Sequence, residues 1–210
     1  RLLHGARVSL GIGAAAVALA LVPGVLLGLL AAFYPHRLGS TLMRLMDLLL
    51  ALPGLLLAIC VLAVLGPGLT NTVIAIAIGA LPGMTRLTRA TALSEMAKGY
   101  VMAVRAMGAS PARIMLRTVL PNCTAPLTVS ATLAFSSAIL EAAGLGFLGL
   151  GVQAPTPEWG TMLSAARDYM QRAPWVVTLP GLTILFSVLS INLIGDGLRD
   201  ALDPKLKRTR

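Results

Sequence analysis

Long apolar stretches, broken by glycine and proline and separated by short basic segments, organise this chain of 210 residues. No charged side chain occurs from Leu48 to Thr85 or from Ala173 to Gly195, and each run exceeds the about 20 residues an α-helix needs to cross a bilayer core. Turn residues divide the apolar sequence into five expected spans: Val8 to Tyr34, Leu48 to Leu65, Leu69 to Met84, Val119 to Leu150 and Pro174 to Leu198. The first uncharged run is cut at Gly66-Pro67-Gly68, where the proline cannot continue a helical ladder and the glycines favour a turn. Continuous rather than alternating apolar runs exclude a β-barrel. The expected fold is an all-α integral membrane protein with five transmembrane helices.

Composition agrees, with 57% hydrophobic and 12% charged residues and a mean hydropathy of +0.85, far from the balance of a soluble domain. Gly13-Ala14-Ala15-Ala16 superficially offers a signal-peptide cleavage site, but the apolar run continues to Tyr34, as a span does.

The least hydrophobic long stretch, Arg86 to Pro121, carries Arg86, Arg89, Lys98, Arg105, Arg113 and Arg117 against the single acid Glu95. Lys and Arg near span ends are retained on the cytoplasmic side. With five spans, a cytoplasmic insert shares its face with Arg37, Arg44, Arg199, Lys205, Lys207, Arg208 and Arg210. The opposite face holds only Arg1, Arg7, Arg167 and Arg172. The insert and the C-terminus are therefore expected in the cytoplasm, and a membrane-crossing segment is expected upstream of Arg1. The net charge of +9 follows from this topology without nucleic acid, for which a binding surface would interleave aromatics; the insert has only Tyr100.

Within the insert, Tyr100, Ala103, Val104 and Met107 recur as the apolar stripe of an amphipathic helix. Gly108 can adopt the left-handed conformation that ends it. Ser110 is a good N-cap and Pro111 a good first residue for a second helix, which Pro121 is expected to disrupt before the next span. Such a helix-Gly-helix loop could lie on lipid headgroups or offer a docking surface to a cytoplasmic protein.

At these residues the chain resembles the transmembrane subunits of bacterial binding-protein-dependent ABC importers. Their cytoplasmic coupling loop follows the pattern Glu-Ala-Ala, three residues, Gly, nine residues, Ile, one residue, Leu-Pro. Ala103, Gly108, Leu120 and Pro121 fall on it, whereas Met102, Val104 and Thr118 replace its Glu, second Ala and Ile. The resemblance spans the whole chain as a single transmembrane domain. It sharpens at RLLHGARVSL from Arg1, MRLMDLLLALPGLLLA from Met43, FLGLGVQAPTPEWGTML from Phe147 and NLIGDGLRDALDPKLK from Asn192. These look like the C-type permease of the dipeptide, oligopeptide and nickel importer group, closest to its dipeptide branch.

The resemblance implies six spans in a complete subunit and a second homologous permease as heterodimer partner. It also implies two cytoplasmic ATPase subunits that bind ATP and Mg, a periplasmic or lipid-anchored substrate-binding protein, and an inner-membrane location. Tyr100, Ala103, Val104, Met107, Gly108, Ala109, Ser110 and Arg113 would then contact the ATPase. The chain has no phosphate-binding Gly-x-x-x-x-Gly-Lys-Ser/Thr loop, so the subunit is expected to be non-catalytic and without a cofactor of its own. Dipeptides or short oligopeptides are the implied substrates; nickel chelates or glutathione would suit the same architecture, and an ATP-independent secondary transporter or channel is the alternative from another class.

Glu141 is the one acid well inside an expected span, where a charge is costly and often functional. It could line the pathway, pair with another helix or subunit, or be protonated. Asn192 is a second pathway candidate. Asp47 and Asp196 lie near cytoplasmic ends, in reach of Arg44 and Arg199.

Residues 151–173 form the expected external loop, whose Pro157, Glu158 and Trp159 could contact the substrate-binding protein, gate the pathway or anchor an interfacial helix with Trp159 at headgroup depth. Gly144, Gly146 and Gly149 spell Gly-x-Gly-x-x-Gly, but outside a βαβ unit they bind no dinucleotide and are read as close packing or a span end. The pairs Gly24/Gly28 and Gly79/Gly83 are read as close helix approaches. Cys60, Cys123, His4 and His36 lie apart, leaving no expected metal site.

Overall fold

The computed structural model describes residues 1–202, which contain helices and no strand. Lys205, Lys207, Arg208 and Arg210, expected in the cytoplasmic tail, lie outside the described residues. In chain order the helices are α1 (Leu2–Phe33), α2 (Arg37–Leu50), α3 (Gly54–Leu65), α4 (Leu69–Met96), α5 (Gly99–Ala106), α6 (Pro111–Arg113), α7 (Leu120–Phe147), α8 (Trp159–Ala165) and α9 (Trp175–Leu202). A wide π-helical stretch, Ile114–Val119, joins α6 to α7 without a break.

Four of these units, Leu2–Phe33, Leu69–Met96, Pro111–Phe147 and Trp175–Leu202, are long and apolar enough to cross a membrane. The expected span Leu48 to Leu65 is not one helix. Leu48 to Leu50 end α2, and α3 leaves at 91° to it. Pro53 stands immediately before α3, and a residue preceding proline is driven out of the helical region. The twelve residues of α3 rise only about 18 Å, so the broken pair counts as a fifth span only if taken together.

Two other boundaries also move. α4 runs on to Met96, so the folded insert begins later than Arg86. Pro121 does not interrupt the second helix of the insert: it occupies the first turn of α7. There the preceding π-helical turns shift the backbone pairing past the missing N–H.

The core forms where α1, α4 and α7 meet. Ile12, Ala16 and Ala20 of α1 pack with Ala75 and Ile76 of α4, Leu62 of α3 and Ala142 and Leu145 of α7. Small residues bring α1 onto α4: a Cβ on Gly28 would lie 2.5 Å from Thr88 Cβ and 2.6 Å from Thr85 O, and one on Gly24 2.7 Å from Met84 Cβ. Thr85 and Thr88 are fully buried and return their hydroxyls to Leu81 O and Met84 O at 2.9 and 2.7 Å, so the tight contact strands no polar group. The same spacing fails at Gly79 and Gly83. A Cβ on Gly83 would meet nothing within 4 Å and one on Gly79 would meet only Gly54, at 3.9 Å. These two glycines line a cavity.

Asp47 pairs with Arg86 across α2 and α4, not with Arg44. Asn192 joins α9 to α7, accepting from the hydroxyl of buried Ser136 at 2.6 Å.

Candidate coupling insert and pathway face

The insert is held at its root and open at its tip. At the root, Glu95 of α4 accepts from Lys98 Nζ and from the Tyr100 hydroxyl, both at 2.6 Å, fixing the corner between α4 and α5. Burial, followed by the hydrogen bond and charge of Glu95, pushes the Tyr100 phenol up to about 12, so it remains a donor at physiological pH. Val101 is the buried anchor of α5. It packs with Leu29, Ala92, Ile114 and Val119, and Val104 and Ala109 flank this cluster.

The inward face therefore differs from the expected stripe. Val101 and Val104 point in, whereas Tyr100, Ala103 and Met107 are exposed. α5 is apolar nearly all round, so its composition leaves several faces equivalent; contact with α4 and the α6–α7 unit selects one. Met102 and Met107 are left 60% and 77% exposed.

The turn closes as the sequence predicts. Gly108 N donates to Arg105 O at 3.0 Å and Ala109 N to Val104 O at 3.4 Å, the paired bonds of a glycine helix stop. Gly108 has φ +81, and a Cβ there would touch nothing within 4 Å. The glycine is needed for its backbone conformation, not for space. Ser110 then caps the next helix by accepting from Arg113 N at 3.4 Å.

The segment 151–173, expected to be external, is arranged in the opposite way. Glu158 and Trp159, expected at a contact surface, are 1% and 3% exposed. Glu158 caps α8, accepting from Gly160 N at 2.8 Å and Thr161 N at 2.9 Å. Ser9 of α1 donates to the same carboxyl at 3.1 Å while accepting from Trp159 N at 3.1 Å. Trp159 Nε1 donates to Leu2 O at 3.2 Å, and the indole is buried inside the protein. Close backbone approach makes this possible: a Cβ on Gly146 would lie 2.3 Å from Glu158 Oε2, and one on Gly160 2.3 Å from Ala143 O. Gln153, Ala154, Pro155 and Thr156 are exposed and with half-buried Pro157 rim a groove of about 750 Å³.

Between these ends, α7 carries two polar edges. Ser136 faces α9 and is paired there with Asn192. Ser130, Ser137 and Glu141 instead line a cavity of about 300 Å³, opposite Gly79 and Gly83 of α4 and beside Leu50 of α2. Glu141 is half-buried and forms no ion pair among the described residues. Its Oε1 lies 3.2 Å from where a Gly54 Cβ would stand, against the first turn of α3. No group of metal-ligating side chains occurs among the described residues.

The chain belongs to the family of binding-protein-dependent transport system inner membrane components, which matches residues 24–208. It is 68% identical to the di/tripeptide transport system permease protein DppC of Pseudomonas aeruginosa over 207 residues, 99% of this chain and 68% of that one. The dipeptide transport system permease proteins DppC of Escherichia coli K12 and Alkalihalophilus pseudofirmus are 53% and 51% identical, over 99% of this chain and 69% and 68% of theirs. In fold it resembles a chain of the inward-facing MetNI methionine ABC transporter, with a TM-score of 0.80, 20% identity and 96% of each chain covered. A chain of an amino acid ABC transporter matches with a TM-score of 0.75 and 15% identity, over 96% of this chain and 94% of that one.

Proposed function

We propose that the chain forms one half of the pathway through which an ATP-driven importer carries dipeptides or short oligopeptides, and that it couples this pathway to ATPase subunits. The observation that carries the reading is the insert: an ordered root and a glycine-stopped turn present Tyr100, Met102, Ala103 and Met107 without cover from the rest of the chain. An apolar surface of that kind beside Arg105 and Arg113 fits a protein partner better than open water. The 51–68% identity to dipeptide and di/tripeptide permeases supports the substrate class.

In this mechanism the ATPases bind one arrangement of two permeases more tightly than the other, and that difference in affinity shifts the pathway between outward and inward access. ATP and Mg belong to those partner subunits, and the permease itself is non-catalytic. The insert and C-terminus face the cytoplasm, as the basic residues favour. The partner permease is a homologous second chain, so the pathway is a heterodimer within one transmembrane domain per subunit. The substrate-binding protein meets the outer groove at Gln153 to Thr156, since Glu158 and Trp159 are buried.

The cavity lined by Ser137 and Glu141 belongs to the pathway face: a carboxyl group without a cation is too costly to present to hydrocarbon. Purifying the assembled complex and titrating its binding protein with dipeptides, longer peptides and nickel chelates tests the reading. Dipeptide binding together with ATP-dependent dipeptide uptake is expected. Exclusive binding of a metal chelate, or uptake without ATP, overturns it.

A further inference from the structure

Three acids of the described chain have partners, and Asp168, Asp196 and Asp200 are exposed. Asp47 has Arg86, Glu95 has Lys98 and Tyr100, and Glu158 has Ser9 and two backbone amides. Glu141 differs: it lies six residues inside the outer end of α7, half-buried, and no Lys, Arg or His of the described chain reaches it. Its walls are small and polar. Ser130 and Ser137 stand on the same edge of α7, and Gly79 and Gly83 face them with no side chain to fill the space. The cavity of about 300 Å³ falls at the lower end of the range for small-molecule sites.

The break between α2 and α3 contributes to the same place. α3 begins at Gly54, twelve residues from the outer turn at Gly66, so its first turn stands deep in the bundle beside the Glu141 carboxyl. A carboxyl group in a small, open cavity, with no cation from the described residues beside it, is chemically suited to a primary ammonium group. Every unmodified dipeptide carries one at its N-terminus.

We propose that Glu141 is the point at which the pathway holds the protonated α-amino group of its peptide cargo during passage, with Ser137 as a neighbouring hydrogen-bond partner. The inference rests on the peptide-import reading and deepens it. No covalent step is involved: the ammonium group exchanges water for a charge-assisted hydrogen bond and leaves when the pathway opens inward. The carboxylate also offers a reason for the two glycines opposite, since side chains at 79 and 83 would occupy the volume the cargo needs.

The test uses the complete transporter, with both permeases, ATPase subunits and saturating binding protein, in proteoliposomes. Dipeptide uptake and binding-protein-stimulated ATP hydrolysis are measured for the wild type, Glu141→Gln and Glu141→Asp. Loss of one charge-assisted hydrogen bond predicts about tenfold or greater loss of uptake in Glu141→Gln. Stimulated hydrolysis should stay within about twofold of wild type, and Glu141→Asp should restore most uptake because it keeps the charge. Undiminished uptake in Glu141→Gln overturns the proposal. So does equal loss of uptake and stimulated hydrolysis, or failure to assemble, either of which makes Glu141 a pin for α3 or for the second permease. A wild-type complex that takes up no dipeptide while hydrolysing ATP overturns the functional reading itself, an outcome distinct from failure of the variant alone.

Discussion

The two ends of the molecule use their polar groups in opposite ways. At the α8 end, Glu158, Ser9, Trp159 and the α8 backbone satisfy one another within the chain, and glycines let backbones approach until no side chain fits. At the insert, only the root is tied, through Glu95, Lys98, Tyr100 and Val101, while the tip around Gly108 stands free. A segment that keeps α1, α7 and α8 in register consumes its own hydrogen-bonding capacity. A segment that would transmit force to another protein, as proposed for the insert, keeps a rigid base and an uncommitted surface.

The largest expected effect comes from opening the α8 end. Gly160→Val places carbon atoms onto the Ala143 backbone, which a Cβ would already approach to 2.3 Å; loss of folded complex on gel filtration is expected, and a normal yield contradicts the close-packed description. Glu158→Ala removes three acceptor contacts and leaves buried donors, costing about 3 kcal/mol or more of local stability. Faster amide exchange at Gly160 and Thr161 is the readout, and unchanged protection would show that the carboxyl group is dispensable.

At the insert the expected losses fall on coupling more than on folding. Gly108→Val forces a β-branched residue into a left-handed conformation at a cost of about 1–2 kcal/mol. The complex should assemble and hydrolyse ATP, with uptake uncoupled from hydrolysis. Wild-type ATP-dependent uptake with normal assembly would falsify the coupling role of the turn. The smallest effect is expected from Tyr100→Phe, which gives up one exposed hydrogen bond worth about 1 kcal/mol or less, read as a modest fall in uptake per ATP. A loss as severe as that of Gly108→Val would mean that the root, not the turn, sets the coupling geometry.

Much of this architecture is legible in residue pattern. Uncharged runs mark the spans because lipid offers no partner for backbone or charge, and Gly108-Ala109-Ser110-Pro111 announces a helix stop and restart because those residues act through local backbone geometry. Contacts between distant segments leave no such mark. Gly24/Gly28 and Gly79/Gly83 share one spacing, yet the first pair seats α1 on α4 and the second opens onto a cavity. Glu158 follows two prolines in a polar loop and reads as exposed, but Ser9, one hundred and forty-nine positions away, draws it inside. Pro53 does signal a break; the 91° turn it permits depends on where α2 packs.

By itself, then, the sequence determines that this chain carries membrane-spanning runs and a basic helix-Gly-helix insert, because hydropathy, charge and turn chemistry are properties of neighbouring residues; its place among permeases rests on the likeness of its motifs to theirs. Tertiary structure alone decides which face of α5 is buried, which glycines are packed, and which carboxyl groups are satisfied. Burial and pairing depend on segments far apart in the chain, and Glu141 and Glu158 differ only in what those segments bring to them.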